Sequence, residues 1–190
     1  MSQVDLTRQR LIRAALELFT RTGYDVTTTA QIAKKAGVAE GTIYRHFASK
    51  QHLLNELYRG AARWATKFVQ DAAAAAVPPR DRFQQLGLSL VQGTAREPAV
   101  GKLFFVADHR DLLDRQSLDA AQEFRTALEG LVAQGKATGA VRAGAADIWA
   151  TIWLAVVTTA LARVASREWG ESHAGVRLAL EGAWGAIANG

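Results

Sequence analysis

The side chains best suited to recognise a partner are concentrated in residues 41–50. This stretch holds a hydroxyl, a phenol, a guanidinium, an imidazole and an ammonium group, on Thr42, Tyr44, Arg45, His46 and Lys50. All five groups donate hydrogen bonds, and the arginine presents a planar fork that matches paired acceptors. The chemistry they offer is the binding of phosphate oxygens and of the hydrogen-bonding edges of bases.

The residue types that perform catalysis or bind metals do not occur here at the spacings that either task requires. The 190-residue chain has no cysteine, which excludes a thiolate metal site, a cysteine nucleophile and a disulfide scaffold. His46 has no metal-spaced partner, because His52 is six residues away and off the same face. The run from Gly130 to Ala137 nearly spells a phosphate-binding loop but has alanine where a magnesium-binding hydroxyl is required. We therefore predict no catalytic residue, no metal and no cofactor.

Two short helices must position the donor-rich stretch. Thr28 and Gln31 form a capping box that begins a helix ending at Ala36-Gly37, and a second helix is predicted over about residues 40–46. Apolar side chains lock the two helices at a steep angle; they are Ile32, Ala33, Val38, Ile43 and Phe47. This is a helix-turn-helix, a unit that presents its second helix to the major groove of DNA.

The rest of the chain is predicted to be helical as well. Strand-type alternation is nearly absent, and glycines and prolines separate helical segments. These segments cover about 7–21, 49–76, 80–94, 98–107, 109–135, 146–167 and 172–188. Pro78-Pro79 marks a boundary, because proline breaks a helix. The sequence thus predicts an all-α fold with an N-terminal unit over 1–50, a connecting helix over 51–77 and a second domain over 78–190.

Charge is concentrated at one end of the chain. The whole chain carries a net charge of +5, and residues 1–59 hold nine basic and five acidic side chains. This excess indicates a polyanionic partner for the N-terminal unit. The polar start has no secretory signal, and the apolar run Ile148–Ala162, at 15 residues, is shorter than the roughly 18 of a membrane span. A cytoplasmic protein without membrane contact is predicted.

Three cations stand where helix physics disfavours them. Arg8 and Arg10 are predicted in the first turn of the first helix, and Lys50 in the first turn of the fourth. The helix dipole opposes a cation there by roughly 0.3–1 kcal/mol. Together they favour a phosphate-binding surface, although each one alone has the alternative of being a solvated surface charge.

The N-terminal part of the sequence resembles the tetracycline-repressor (TetR) family. The resemblance covers about residues 7–58 and rests on Phe19–Tyr24 (F-x-x-x-G-Y), the Thr-Thr cap with Ile32-Ala33, the Ala36-Gly37-Val38 turn and the run Gly41–Lys50. It implies an all-helical homodimer. The N-terminal three-helix domain with its helix-turn-helix would bind operator DNA, and the C-terminal domain would bind a small molecule and dimerise.

The resemblance also implies which residues contact DNA. Carried over by position, the phosphate contacts would be Thr28, Thr29, Tyr44, His46 and Lys50. The residues nearest base edges would be Ala39, Glu40, Gly41, Thr42 and Arg45, of which Arg45 suits bidentate recognition of guanine. Two positions depart from the family pattern: Ala39 lacks the usual hydroxyl, and Glu40 could accept from cytosine or weaken binding.

The last two helices are predicted to join two copies of the chain. Residues 148–164 are apolar nearly all round, so this helix must be buried on more than one side. One predicted face, for a partner, is Ala150, Leu154, Val157 and Leu161, and the last helix offers the small-residue stripe Gly175, Ala179 and Ala183. The interpretation is a homodimer joined by a four-helix bundle, with an intrachain contact as the alternative.

A ligand pocket is predicted from aromatic side chains of the second domain. The candidates are Phe104, Phe105, His109, Phe124, Trp149 and Trp153, which would suit an apolar or aromatic molecule. The alternative for each is a place in the core. In residues 108–115, the i,i+4 pairs Arg110–Asp114 and Asp111–Arg115 favour a self-neutralised helical surface over a metal site.

These patterns together predict a ligand-responsive, DNA-binding transcriptional regulator, with repression as the expected mode. It would bind a palindromic operator as a homodimer and be released by a small apolar or aromatic effector. Two alternatives belong to other classes. One is a small helical enzyme that uses the C-terminal cavity, and the other is an interaction module that keeps the fold without binding DNA.

Overall fold

The structure is a computed structural model that describes residues 3–189. The helices are α1 (Gln3–Arg21), α2 (Thr29–Ala36), α3 (Lys50–Ala74), α4 (Pro79–Arg96), α5 (Pro98–Gly101), α6 (Arg115–Ala137), α7 (Ala146–Ala165) and α8 (Ala174–Ile187). A 3-10 segment, Glu40–Arg45, lies between α2 and α3. Over residues 3–189 there is no β-strand, only an isolated bridge between Val141 and Ala188. The all-α fold is confirmed.

The N-terminal head consists of α1, α2 and the 3-10 segment. The predicted capping box is present: Gln31 N donates to Thr28 Oγ1 at 3.2 Å, and Thr28 N donates to Gln31 Oε1 at 2.8 Å. Gly37 ends α2 with φ +66°, a left-handed conformation that glycine adopts without steric cost. The head closes over a buried apolar cluster that α3 shares, which includes Leu11, Phe19, Ile32, Ile43, Phe47 and Leu53.

One local expectation for the head is wrong: α1 begins at Gln3, so Arg8 and Arg10 lie beyond its first turn. The short helix predicted over about 40–46 is present, and it is a 3-10 helix, Glu40–Arg45. A 3-10 helix has three residues per turn, so its side chains fall into rows at i, i+3 spacing.

α3 joins the head to the second domain. Its first half packs Leu53, Leu57 and Ala61 into the head cluster, and its second half packs Ala65 and Val69 into the C-terminal core. Because one continuous helix of 25 residues enters both cores, a tilt of α3 must move the head relative to the second domain.

The C-terminal core is formed by α3, α4, α6, α7 and α8 around Phe83, Leu90, Leu128 and Trp153. Predicting Ala150, Val157 and Leu161 as a partner face was wrong, because all three are buried in the chain's own core. Ala183 is buried there too, so this part of the α8 stripe makes the intrachain contact that was the alternative. An apolar helix gives no periodic signal by which to choose its inner side.

α7 is unusual among the described helices because, in length and composition alone, it would suit a membrane span. Only 33% of its most apolar stretch is buried within the chain. The buried side chains of α7 pack against α4, α6 and α8. Part of the apolar character of α7 is therefore that of a core helix. The remainder is an apolar surface that a single chain leaves uncovered.

Residues 98–114 connect α4 to α6 by an irregular path. α5 continues into a π-helical turn, Lys102–Val106, closed by a bond from Ala107 N to Lys102 O at 2.9 Å. A 3-10 turn, Arg110–Leu112, follows. The predicted ion pairs Arg110–Asp114 and Asp111–Arg115 are wrong, because the segment is not α-helical: Arg110 pairs with Asp108, Asp114 with Arg59 and Arg115 with Asp119.

Candidate nucleic-acid interface and junction cavity

The 3-10 segment exposes its donors because its apolar row points inward. Ile43 is buried and His46, three residues later, is half-buried. The rows Gly41–Tyr44 and Thr42–Arg45 therefore face away from the head, and Tyr44 is 57% exposed. This is the orientation that contact with DNA requires. Contact of these residues with DNA, including that of His46, stays a prediction.

Tyr44 and the start of α2 form one continuous polar surface. Tyr44 Oη and Thr29 Oγ1 are 3.1 Å apart and share a hydrogen bond. Thr28 caps the same helix end, and its side chain is exposed. A helix N-terminus beside two hydroxyl groups is well suited to bind a phosphate. The structure thus brings Thr28, Thr29 and Tyr44 together, as their predicted common role demands.

Lys50 is placed differently from the other predicted phosphate contacts. Its Nζ donates to Tyr24 O and to Thr27 O, both at 2.9 Å, and lies 4.1 Å from the centre of the Tyr24 ring. The side chain is half-buried and ties the turn between α1 and α2 to the start of α3. An ammonium group has three donors, so one remains for a phosphate.

Glu40 and Ala39 begin the 3-10 segment, and both are exposed. Ala39 is its N-cap and makes no side-chain capping bond, as the missing hydroxyl predicts. Glu40 stands at the head of the row that leads inward through Ile43, beside the two outward rows. Arg10, which was predicted to help form a phosphate-binding surface, donates to Gly37 O at 3.2 Å and so supports the turn between α2 and the 3-10 segment.

The six predicted ligand residues do not share one pocket. Phe104, Phe105 and Phe124 form an aromatic cluster, with ring centres 4.9–5.9 Å apart, against Tyr58 and Trp64. Trp153 is only 1% exposed and packs on Phe83, 5.4 Å away. Trp149 donates from Nε1 to Ala143 O at 3.1 Å. The two tryptophans therefore stabilise α7 and its preceding loop, while His109 lies beside Phe104.

Phe104 and His109 line a cavity of about 240 Å³ where the head meets the second domain. We name it the junction cavity; its walls include Tyr58, Phe104, Asp108, His109, Arg110 and Leu113. Burial lowers the pKa of His109 below its ordinary value, although Asp108 and Asp25 oppose the shift. Burial also raises the pKa of the Tyr58 phenol. Both groups are therefore neutral at neutral pH.

Asp108 and Arg110 form a closed ion pair at the edge of this cavity. Arg110 donates from Nε and Nη2 to the two carboxylate oxygens at 3.1 and 2.8 Å, and from its backbone N at 3.2 Å. These bonds lower the pKa of Asp108 to about 2. The pair uses Nε and Nη2 of Arg110 and both carboxylate oxygens of Asp108, and both side chains are exposed to solvent.

Next to the cavity, a buried asparagine ties α3 to the start of α6. Asn55 Nδ2 donates to Leu112 O and to Gln51 O, both at 2.9 Å, and Asn55 Oδ1 accepts from Asp114 N at 2.7 Å. Gln51 Nε2 also donates to Leu112 O at 2.8 Å. We name Asn55, Leu112 and Asp114 the latch. Asn55 and Tyr58 were not predicted from the sequence, because their partners are distant along the chain and leave no local pattern.

Residues 3–189 contain no group of three histidine or acidic side chains close enough to hold a metal ion. Burial opposes ionisation of Asp114, but hydrogen bonds from Ser117 and Arg59 outweigh it and lower the pKa of this carboxyl. Two of the acidic side chains near the cavity are thus engaged, Asp108 by Arg110 and Asp114 by Arg59 and Ser117.

Comparison with known proteins places the head in a defined family. The profile described as bacterial regulatory proteins, tetR family, matches residues 11–57. The HTH-type transcriptional repressor KstR2 of Mycobacterium tuberculosis is 36% identical over 84 residues, which are 44% of this chain and 42% of that protein. The matched part thus spans less than half the length of this relative.

Solved structures extend the likeness of fold to nearly the whole chain. A tetR family transcription regulator from Shewanella sp. PV-4 superposes with a TM-score of 0.79 at 22% identity, over 97% of this chain and 99% of that one. The regulator FadR of Bacillus subtilis, solved in complex with stearoyl-CoA, gives 0.75 at 19% identity, over 94% and 98%. With its capped helix-turn-helix, the head matches the tetR family of bacterial regulatory proteins over residues 11–57, and nearly the whole chain shares the fold of solved tetR family regulators.

Proposed function

We propose that this protein is a DNA-binding transcriptional repressor. The observation that carries the proposal is the exposure of Tyr44 and Arg45 on the 3-10 segment, beside a half-buried Thr42 and opposite the buried Ile43. Donors on an exposed helix, flanked by a helix N-terminus, can read base edges while phosphates fix the register. KstR2, which is 36% identical to this chain over 84 residues, is named a transcriptional repressor. Because DNA is the partner, we expect the protein to act in the cytoplasm, without a catalytic step.

The roles of individual residues follow the geometry. Thr28, Thr29 and Tyr44 bind one phosphate region, and Lys50 uses its third donor on another. Arg45 and Thr42 contact base edges, and Gly41 lets the backbone approach closely. Glu40 lies at the side of this surface, where it discriminates against sites that bring a phosphate near it.

A homodimer completes the regulator, because a palindromic operator needs two heads. One exposed face of α7 carries Ile148, Thr151, Ala155 and Thr159, and one exposed face of α8 carries Leu178, Gly182 and Gly185, while the charged pair Arg177 and Glu181 is exposed beside the latter. Ile148 is 54% and Leu178 64% exposed. Two adjacent helices with apolar and small outer side chains form a four-helix bundle when two copies meet. The dimer face is therefore on the other side of α7 from the one first predicted.

Release by a small molecule is the remaining part of the proposal. FadR of Bacillus subtilis, which shares this fold, was solved in complex with stearoyl-CoA, and that complex supports a small-molecule site in this chain. The aromatic cluster around Phe104 and the π-helical turn beside it lie between α3 and α6. π-Helical turns are frequent at functional sites. An effector that inserts there would displace α3 and with it the head.

The test begins with selection of bound sequences from random DNA, followed by anisotropy titrations over a salt series. A DNA binder of this kind loses affinity linearly in the logarithm of salt concentration. Arg45→Ala should relax sequence preference by about 1–3 kcal/mol at one base pair. Arg115→Ala is the matched control, because it removes the same charge from the exposed start of α6. Equal effects of the two variants would contradict the assignment of Arg45 to a base.

The dimer is tested by sedimentation velocity. Leu178→Arg should convert the dimer to a monomer, because it places a charge in an apolar interface. Leu118→Arg is the control, since Leu118 is also exposed but lies on α6. A dimer that survives Leu178→Arg and dissociates with Leu118→Arg would move the interface to α6.

A further inference from the structure

The first turn of α3 is capped by an imidazole as well as by a hydroxyl group. Ser49 Oγ accepts from His52 N at 3.0 Å, and His52 Nδ1 in turn accepts from Ala48 N at 3.2 Å. This pairing is a variant of the capping box, in which a glutamate or glutamine three residues after the cap supplies the returning acceptor. Here the acceptor reaches one residue further back, so α3 holds the backbone of the turn that follows the 3-10 segment.

Glu56 stands one turn further along α3 and faces the other nitrogen of the same ring. Because Nδ1 accepts a hydrogen bond, a neutral His52 carries its proton on Nε2. Nε2 lies 3.4 Å from Glu56 Oε1, and a carboxylate at this place favours the tautomer with the proton on Nε2. The second carboxylate oxygen pairs with Arg8 of α1, so Glu56 is held between two helices.

The ring of Phe47 is held by the same side chains. Phe47 directly precedes Ala48 and is 1% exposed. The guanidinium carbon of Arg8 lies 5.1 Å from the centre of its ring, and the His52 ring meets it edge-on with the ring centres 6.3 Å apart. Phe47 N also donates to Ile43 O at 2.9 Å, which ties this residue back to the 3-10 segment. The end of the segment is therefore joined to α1 and to α3.

Two other ties of the head act elsewhere, on the turns at the two ends of α2. Arg10 supports the turn after α2, and Lys50 holds the turn before it. Ala48 N has His52 Nδ1 as its only recorded acceptor over residues 3–189. Only two residues separate Ala48 from Arg45, so movement of this backbone moves the exposed end of the 3-10 segment.

We propose that His52 is a positioning residue for DNA recognition. Together with Glu56 and Arg8 it fixes the end of the 3-10 segment, and thereby the angle at which Tyr44 and Arg45 meet DNA, without touching the DNA itself. We name His52, Glu56 and Arg8 the clamp. The inference rests on the proposed function, since it assigns how the DNA-contacting segment is held.

The strength of one hydrogen bond sets the size of the effect. A head whose segment is free to move binds DNA only in the fraction of time that the segment is correctly placed, so its apparent affinity falls by that fraction. The bond to Ala48 can shift this fraction by no more than its own net strength. For one bond this is about twofold to tenfold for each head, and about fivefold to a hundredfold for a dimer on a palindromic site.

The experiment compares His52→Ala with His52→Asn by anisotropy titration of a duplex selected from random DNA. His52→Ala should weaken binding by about fivefold to a hundredfold. His52→Asn should restore most of the loss, because the oxygen of asparagine stands where Nδ1 stood and can accept from Ala48 N. Equal affinity of the wild type and His52→Ala would overturn the proposal, and so would an equal loss in the two variants.

His173 provides a matched control, because it makes the same kind of bond on another helix. His173 Nδ1 accepts from Gly175 N at 3.1 Å and caps α8, away from the head. His173→Ala and His52→Ala each remove one imidazole cap, so both should lower the melting temperature by a similar amount. Only His52→Ala should weaken DNA binding, at a temperature where both variants are folded and sediment as the wild type does. Similar DNA affinities of the two variants would reduce His52 to a cap without a role in recognition.

The salt dependence of binding distinguishes positioning from direct contact. A residue that binds a phosphate changes the slope of log affinity against log salt concentration by about one when it is removed. His52→Ala should leave this slope unchanged and should weaken binding to the selected duplex more than binding to random DNA. A slope that falls by about one would show that His52 contacts phosphate and would overturn its role as a positioning residue.

Glu56→Ala tests the second member of the clamp. Because Glu56 acts on Ala48 through His52, the losses from Glu56→Ala and His52→Ala should be less than multiplicative in the double variant. Losses that multiply fully would refute the coupling of Glu56 to His52.

Failure of the proposed function would look different from failure of this inference. If the wild type binds no selected DNA, the proposed function itself falls. If the wild type binds and His52→Ala binds equally well, only the clamp falls. Hydrogen exchange of the Ala48 amide decides the underlying bond in either case: it should be faster in His52→Ala than in the wild type and slow again in His52→Asn.

Discussion

Removing the side chain of Asn55 should weaken the whole fold, because this buried amide joins three backbone groups. Asn55 is 1% exposed and bonds to Gln51 O, Leu112 O and Asp114 N. In Asn55→Ala, Leu112 O keeps its bond from Gln51 Nε2, whereas Asp114 N loses its only recorded acceptor. At about 1 kcal/mol for each lost bond, the free energy of unfolding should fall by about 3 kcal/mol.

Thermal unfolding followed by circular dichroism measures this loss. For a chain of 150–250 residues each kcal/mol corresponds to about 2–4 °C, so the melting temperature should fall by about 6–12 °C. Gln51→Ala is the matched control, because it removes one exposed bond to the same carbonyl and should cost less than about 1 kcal/mol. If Asn55→Ala and Gln51→Ala melt together, the latch does not hold α3 to α6.

Three further changes test other contacts. Thr28→Ala should lower stability by about 1 kcal/mol, measured by urea denaturation, because the capping box is lost. Lys50→Met should lower the melting temperature by freeing the turn that Lys50 Nζ holds, whereas a purely DNA-contacting lysine would leave it unchanged. Because burial lowers the pKa of His109 below 6.5, its contribution to stability is present above pH 6.5 and is lost as pH falls from that value through the lowered pKa of the folded state. The melting temperature of His109→Phe should therefore depend less on pH over that range; an equal dependence would refute this attribution.

Several features of this protein are determined by short-range sequence alone. The capping box at Thr28, the glycine at position 37 and the proline that begins α4 act over four residues or fewer, so each can be recognised along the chain. The same holds for the head, where Ile43 and Phe47 are buried as the helix-turn-helix pattern predicts. Local stereochemistry and periodic burial specify these elements before any long-range contact forms.

Only the tertiary structure decided the rest, because it depends on which distant side chains meet. The uniform apolar character of α7 left its inner and outer sides undetermined, and packing against α4, α6 and α8 placed Trp153 inside and Ile148 outside. Charge alone could not show that Lys50 is engaged by two carbonyl groups of the preceding turn. The unpartnered nitrogen of His109 and the bonds of Asn55 exist only because α3 passes beside residues 109–114, more than fifty positions further along the chain.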